Sequence, residues 1–130
     1  MIQPTYTTFE QSKLLKEKGF DLKCLCYYIE VNNNHSNHPT RTHDSQFINW
    51  NAHVSRVSCP EQWMVTEWLR VNHGIWIHSA PENNEEDIVK WAFTIQRIDS
   101  EVRFVRRVGE FNSPQEAYSA AFDYTLNNLV

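Results

Sequence analysis

Four side chains that could bind a metal ion lie within one short polar segment of the chain: His35, His38, His43 and Asp44. Imidazole and carboxylate groups are common ligands of zinc and similar divalent ions. The surrounding segment, residues 32–46, has no apolar side chain except proline, so burial cannot offset the entropy of ordering it. We therefore predict a mobile polar loop at 32–46. Metal binding by His35, His38 and His43 is kept as an alternative function.

Three cysteines, Cys24, Cys26 and Cys59, could supply a nucleophilic thiol. A catalytic thiol needs an activating base and an oriented partner, and no spacing in the sequence brings these to a cysteine. Cys24 and Cys26 fall in an apolar strand and are predicted to be core side chains. Cys59 lies where a helix is predicted to begin, and a helix N-terminus lowers the pKa of a thiol. We expect free thiols in a reducing compartment and no catalytic residue among them.

A predicted hairpin carries three closely spaced arginines, Arg103, Arg106 and Arg107, interleaved with Phe104. Guanidinium groups beside an aromatic ring could bind phosphates and stack on bases, so nucleic-acid binding by the basic hairpin 97–107 is a second alternative. We favour a structural interpretation, in which these arginines lie on the outer face of an antiparallel strand and their charges keep an exposed strand edge from pairing with another chain. Strict alternation places Arg103 and Arg107 on one face and Arg106 on the other.

Four of the five tryptophans lie between residues 63 and 91. Trp68 and Trp91 fit predicted apolar stripes, whereas Trp63 and Trp76 lie off them. Aromatic side chains with a polar edge often anchor interfaces. Exposed together, Trp63 and Trp76 would mark a partner surface. We therefore take these two tryptophans, with the three arginines of the hairpin, as the candidate partner-binding residues.

The composition is that of one soluble domain spanning residues 1–130, with a net charge of -4 and 41% apolar residues. No signal peptide and no membrane span are predicted. Charge is segregated: residues 88–108 have five Lys or Arg against two Asp or Glu, whereas residues 59–87 have six Asp or Glu against one Arg. A glycine-rich phosphate loop, a zinc-protease helix, a Cys-x-x-Cys pair and a nucleophile elbow are all absent, so the common enzyme classes lack support.

Capping patterns and apolar periodicity predict the elements that position these residues. Helices are predicted near 8–19, 59–73 and 113–129. Strands are predicted at 24–31, at 75–78 and in a hairpin over 88–108 that turns at 99–101. The fold class is therefore α+β: an antiparallel sheet of three or more strands packed with helices, whose C-terminal half runs helix-strand-strand-strand-helix.

Several segments resemble a family of small uncharacterised proteins common in phages and prophages of Bacteroides-type bacteria. They are Thr8-Phe-Glu-Gln-Ser-Lys-Leu-Leu15 with Gly19-Phe20, Pro60 with Trp68-Leu-Arg70 and Ile75-Trp-Ile77, and Phe111-Asn-Ser-Pro-Gln-Glu-Ala117. The resemblance brings no assigned activity. It implies a small cytosolic accessory protein of mobile-element origin.

The C-terminal half also resembles the double-stranded-RNA-binding domain in topology only. That family binds RNA phosphates with a lysine cluster at the start of its last helix. The matching positions here are Ser113, Pro114, Gln115 and Glu116, and an acidic helix start repels phosphate. The resemblance therefore extends to the fold and not to RNA binding.

Together these features lead us to expect a non-catalytic accessory protein of phage or prophage type that acts as a protein-protein interaction module. Its expected partner is a protein not identified by the sequence, or a second copy of the chain in a homodimer. Nucleic acid and membranes are not expected partners, and no cofactor is expected. The expected location is the cytoplasm, that of the host if the protein is phage-encoded.

Overall fold

The computed structural model describes residues 4–42 and 46–130. The chain divides into two compact units, Met1–Glu61 and Gln62–Val130. His43 and Asp44 of the candidate metal set lie outside the described residues. The single-domain organisation expected from the sequence stays a prediction.

The first unit combines one helix with a small antiparallel sheet. The helix α1 is Phe9–Glu17, and the strands are β1 Cys26–Val31, β2 Asn34–His35, β3 Thr40–Arg41 and β4 Arg56–Ser58. The six-residue strand β1 is central, because β2, β3 and β4 all pair with it in antiparallel register. A short 3₁₀ helix, Trp50–Ala52, precedes β4.

The capping box predicted for α1 is confirmed. The Thr8 hydroxyl accepts a hydrogen bond from the Gln11 amide at 3.2 Å, and the Gln11 side chain accepts one from the Thr8 amide at 3.1 Å. The helix ends at Glu17, and Gly19 follows the C-cap residue Lys18 with a φ of 91°, which is readily reached only without a Cβ atom. Phe20 then folds back, donating its amide to the Leu15 carbonyl at 2.9 Å, and both side chains are buried.

The structure shows strand pairing in the polar segment 32–46, which the sequence pattern does not predict. Asn32 and Asn33 both have positive φ and form the two-residue turn between β1 and β2, as expected for a hairpin whose turn must match the strand twist. The strand β3 also lies in this segment. The polar composition is compatible with short strands because their side chains are exposed.

The second unit has the predicted helix-strand-strand-strand-helix order, which confirms the α+β fold class. Its elements are α2 Gln62–His73, β5 Ile75–Asn83, β6 Val89–Ile98, β7 Val102–Phe111 and α3 Pro114–Asn128. The sheet is antiparallel, in the order β5-β6-β7, and α3 packs on β5 and β6. Its core includes Ile77, Ile95 and Phe122, which are at most 1% exposed.

The predicted start of α2 at residue 59 is wrong. The Cys59 amide donates to the Cys26 carbonyl at 2.9 Å, and the Pro60 carbonyl accepts from the Thr7 amide at 3.1 Å. The backbone around residues 59 and 60 therefore continues the strand pairing of β4, and the helix begins only at Gln62. A serine followed two residues later by a proline, as in Ser58-Cys59-Pro60, is a helix-start pattern, but it is also compatible with an extended strand end.

Candidate docking face

The helices of the second unit pack on one face of its sheet. On β5, Ile75 and Ile77 are at most 1% exposed, while the alternating Trp76 and His78 are half-buried. Successive strand residues project from opposite faces, so these two side chains lie on the side away from the helical core. We call this side the outer face.

Strand register defines the rest of the outer face, because directly paired residues project from the same side. Trp76 pairs with Gln96, which pairs with Phe104. His78 pairs with Thr94, which pairs with Arg107. The outer face thus includes the six side chains of these two rows, Trp76, Gln96, Phe104, His78, Thr94 and Arg107, and is extended by Val102, the partner of Ile98.

Two apolar side chains on the outer face are strongly exposed. Phe104 is 68% exposed and Val102, two residues earlier on β7, is 67% exposed. Because residues two apart on a strand share a face, the two side chains are neighbours. Trp76 lies in the same row as Phe104. The exposed apolar pair therefore lies on β7, and Gln96 of β6 separates it from Trp76 of β5.

A bulge in β7 overturns the expected distribution of the arginines. Ile95 pairs with Arg106 and Gln96 pairs with Phe104, so Val105 is an extra residue without a partner. One extra residue reverses the facing of the residues after it. Arg103 and Arg106 therefore share the helix side, and Arg107 projects from the outer face.

Each of the three arginines has a partner within the second unit. Arg103 forms an ion pair with Asp99, and Arg107 forms one with Glu82. The Arg106 guanidinium lies 4.7 Å from the centre of the Tyr124 ring of α3, in cation–π geometry. The hairpin charges are thus divided between two faces and engaged in local contacts.

Trp63 and Trp76 do not share a surface. Trp63 is 63% exposed on α2, and α2 contacts both α3 and β5. This places Trp63 with the helices, whereas Trp76 lies on the outer face. The alternation of Trp76 with Ile75 and Ile77 in the sequence predicts that Trp76 projects away from the core. The bulge at Val105 has no comparable signal in the sequence.

The described histidines of the polar segment do not form a metal centre. The His35 ring stacks on Phe9 at 3.7 Å, and its Nδ1 lies 2.9 Å from the Ser36 carbonyl. His38 is exposed. Within residues 4–42 and 46–130, no three His, Cys, Asp or Glu side chains are grouped to hold a metal ion. The set that includes His43 stays a hypothesis.

The expectation that Cys59 has a lowered pKa is wrong. Cys59 is 1% exposed and its Sγ donates to the Thr7 carbonyl at 3.5 Å. Burial raises the pKa of Cys59 to about 11 and that of Cys24 to about 12, and it also raises the pKa of Cys26. No thiol is activated as a nucleophile, because burial disfavours the thiolate.

Comparison of the chain with protein-family models, with curated proteins and with solved structures gave no match. Its function is therefore argued from the residues. None of the helices in the described part of the chain is long and apolar enough to span a membrane.

Proposed function

We propose that this protein is a non-catalytic binding module that docks a protein partner on the outer face of the β5-β6-β7 sheet. The observation that carries the proposal is the pair of neighbouring apolar side chains, Phe104 and Val102, each about two-thirds exposed. Exposed apolar strips flanked by polar side chains are typical of protein interaction sites. Here Gln96, which lies between Phe104 and Trp76, and the neighbouring Thr94 and His78 supply the polar side chains.

Charge favours a protein over a nucleic acid as the occupant. The only arginine of the hairpin trio on the outer face, Arg107, is paired with Glu82. The same end of the sheet has a cavity of about 510 Å³ lined by acidic and amide side chains, namely Glu82, Asn83, Asn84, Glu85, Glu86 and Glu110. A polyanion would meet repulsion there, since nucleic-acid affinity comes largely from uncompensated Lys and Arg.

The partner we propose is a protein that presents an uncharged apolar strip to Phe104, Val102 and Trp76. Phe104 and Trp76 would anchor this partner, because large aromatic rings bury much surface area with few rotatable bonds. The resemblance to phage and prophage proteins supports an accessory role, in the cytoplasm of a bacterial host. Metal binding by the polar segment has no supporting contact among the described residues.

The experiment compares three variants of the tagged chain in the presumed host. Phe104→Ser and Val102→Ser change the outer face, and Val71→Ser is the matched control, because Val71 on α2 is also 67% exposed. We expect one protein to be recovered with the wild type and Val71→Ser and to be lost with the other two. The purified partner should then bind the purified chain with the same variant pattern.

Three results would overturn the proposal. They are a partner retained equally by all variants, recovery of nucleic acid that depends on Arg107, and a purified chain that dimerises through Phe104. The last result would assign the outer face to a second copy of the chain. Circular dichroism of each variant shows whether the fold is intact.

A further inference from the structure

The Arg56 side chain of β4 is held against two aromatic rings of the first unit. Its guanidinium carbon lies 4.6 Å from the centre of the Tyr27 ring and 5.0 Å from that of the Trp50 ring. The two rings contact each other, with their centres 4.5 Å apart, and both are at most 9% exposed. Because buried rings have fixed positions, the guanidinium in contact with them loses little further freedom when it binds a ligand.

The charge of Arg56 has no carboxylate partner within residues 4–42 and 46–130. Glu30, the acidic residue of the neighbouring strand β1, is ion-paired with Lys13 of α1. Arg56 is half-buried, and its side-chain nitrogens are not among the buried polar atoms that lack a partner. Aromatic rings contact the flat face of a guanidinium and leave the N–H groups at its edge, so Arg56 presents hydrogen-bond donors to solvent.

A tight turn places further basic groups beside Arg56. The Arg56 amide donates to the His53 carbonyl at 3.5 Å, and the first and last Cα atoms of such a four-residue turn lie less than about 7 Å apart. The His53 ring also contacts Trp50, with ring centres 5.8 Å apart. Lys16 of α1 donates to the carbonyls of His53 and Arg56 at 2.9 and 2.8 Å, which brings a positive charge to the same turn. The turn therefore favours an anionic ligand.

Two exposed apolar side chains of β1 lie on the same side of the sheet as Arg56. Ile29 pairs directly with Arg56, and paired residues project from the same side. Val31 follows two residues later on β1 and shares that side. Ile29 is 42% exposed and Val31 is 53% exposed. We call Arg56, Ile29 and Val31 the Arg56 face, which combines one positive charge with two exposed apolar side chains.

We propose that the Arg56 face binds an acidic peptide segment of a protein, whose carboxylate pairs with Arg56 and whose neighbouring apolar side chain covers Ile29 and Val31. A planar guanidinium binds a carboxylate through two parallel hydrogen bonds, and arginine is enriched among the residues that dominate interface affinity. A nucleic acid fits less well, because its affinity comes from many phosphate contacts and it would leave the apolar pair uncovered. This face belongs to the first unit, so the proposal does not depend on docking at the outer face.

The experiment uses two model peptides and the folded full-length chain labelled with nitrogen-15. The probes are acetyl-Ala-Glu-Leu-Ala-amide and the same peptide with Gln in place of Glu, so that they differ only in the carboxylate. We expect the acidic peptide to shift the Arg56 Nε–H signal and the amide signals of Ile29 and Val31 saturably, in the millimolar range. The uncharged peptide should bind at least about fivefold more weakly, because it lacks the charge-assisted hydrogen bonds.

Variants of the chain locate the binding. Arg56→Gln should lower the affinity for the acidic peptide about tenfold and remove the preference for Glu over Gln. Arg56→Lys should not restore the affinity, because an ammonium group does not bind a carboxylate bidentately. Lys18→Gln is the matched control, since it removes one positive charge from an exposed position of the same unit. Ile29→Ser should also weaken binding, with Leu22→Ser, at a position 38% exposed, as its control.

The proposal is overturned if the two peptides bind with equal affinity, if the shifted signals lie elsewhere, or if folded Arg56→Gln binds the acidic peptide as the wild type does. It is also overturned if a single-stranded oligonucleotide shifts these signals and the acidic peptide does not, which would assign the face to a nucleic acid. The comparison of the two peptides on the wild type needs no variant to fold, and the amide spectrum of each variant shows whether its fold is intact. Phe104→Ser, on the outer face, should bind the acidic peptide normally whether or not the outer face docks a partner.

Discussion

The two units are stabilised by different kinds of interaction. The second unit has strands of nine or ten residues, and β5 and β6 bury apolar side chains such as Ile77, Phe93 and Ile95. In the first unit the longest strand has six residues and β2 and β3 have two each, and buried polar groups, including Thr7, Gln11 and Ser12, occupy its interior. The first unit therefore depends more on specific hydrogen bonds, and the second on apolar area.

Side chains in the first unit replace part of the strand pairing. The Asn51 side chain accepts from the Ser58 amide at 2.8 Å and donates to the Phe20 carbonyl at 2.9 Å. Lys16 donates to the carbonyls of His53 and Arg56 at 2.9 and 2.8 Å. Such contacts bring together segments that have few apolar residues. In the second unit, α3 packs on β5 and β6 and α2 packs on β5.

The largest expected change in stability comes from removing a side chain in the apolar core of the second unit. Phe122 of α3 is fully buried, and Phe122→Ala should destabilise the second unit by about 3–5 kcal/mol, because it removes buried area and leaves a cavity. The matched control is Phe104→Ala on the outer face, which should change stability by less than about 0.5 kcal/mol. Urea unfolding followed by tryptophan fluorescence measures both. A large loss from Phe104→Ala would show that the outer face is part of a core.

In the first unit, we expect the loss of a buried hydrogen bond to lower stability. The hydroxyls of Thr7 and Ser12 lie 2.6 Å apart and are buried. Ser12→Ala should cost about 1–3 kcal/mol, because the Thr7 hydroxyl loses a partner without regaining water. Adding Thr7→Val should recover part of that loss, since no unsatisfied hydroxyl remains. Equal and additive losses in a double-mutant cycle would contradict a coupled polar core.

Helix caps should affect the two units alike. Thr8 accepts the Gln11 amide at 3.2 Å and Ser113 accepts the Glu116 amide at 3.2 Å. Thr8→Ala and Ser113→Ala should each cost about 1 kcal/mol, the usual contribution of an N-cap side chain. Thermal unfolding of both variants measures the effect. A cost confined to one unit would mean that one of the caps is redundant.

The sequence predicts the elements of the second unit better than those of the first unit. Alternating apolar residues such as Ile75 and Ile77 reveal the strands of the second unit, and Ser113-Pro114 reveals the start of α3. The first unit gives weaker signals, because contacts such as those of Asn51 follow no period. The bulge at Val105 also escapes prediction, since its side chain fits a regular strand; only the strand register shows that it reverses the face of the arginines.

The smallest effect we expect is at the turn between β6 and β7. The pKa of the Asp99 carboxyl is lowered, first because the Glu101 amide donates to it and also because Arg103 carries a nearby positive charge. A carboxyl whose folded pKa is depressed stabilises the fold above its unfolded pKa, and that contribution is lost as pH falls through the folded pKa. Arg103→Gln should therefore raise the pKa of Asp99 while leaving it below its usual value, because the backbone donor remains. Carboxyl chemical shifts recorded by NMR between acid and neutral pH measure this; a return to the ordinary value would assign the whole shift to Arg103, and no change would assign it to the backbone.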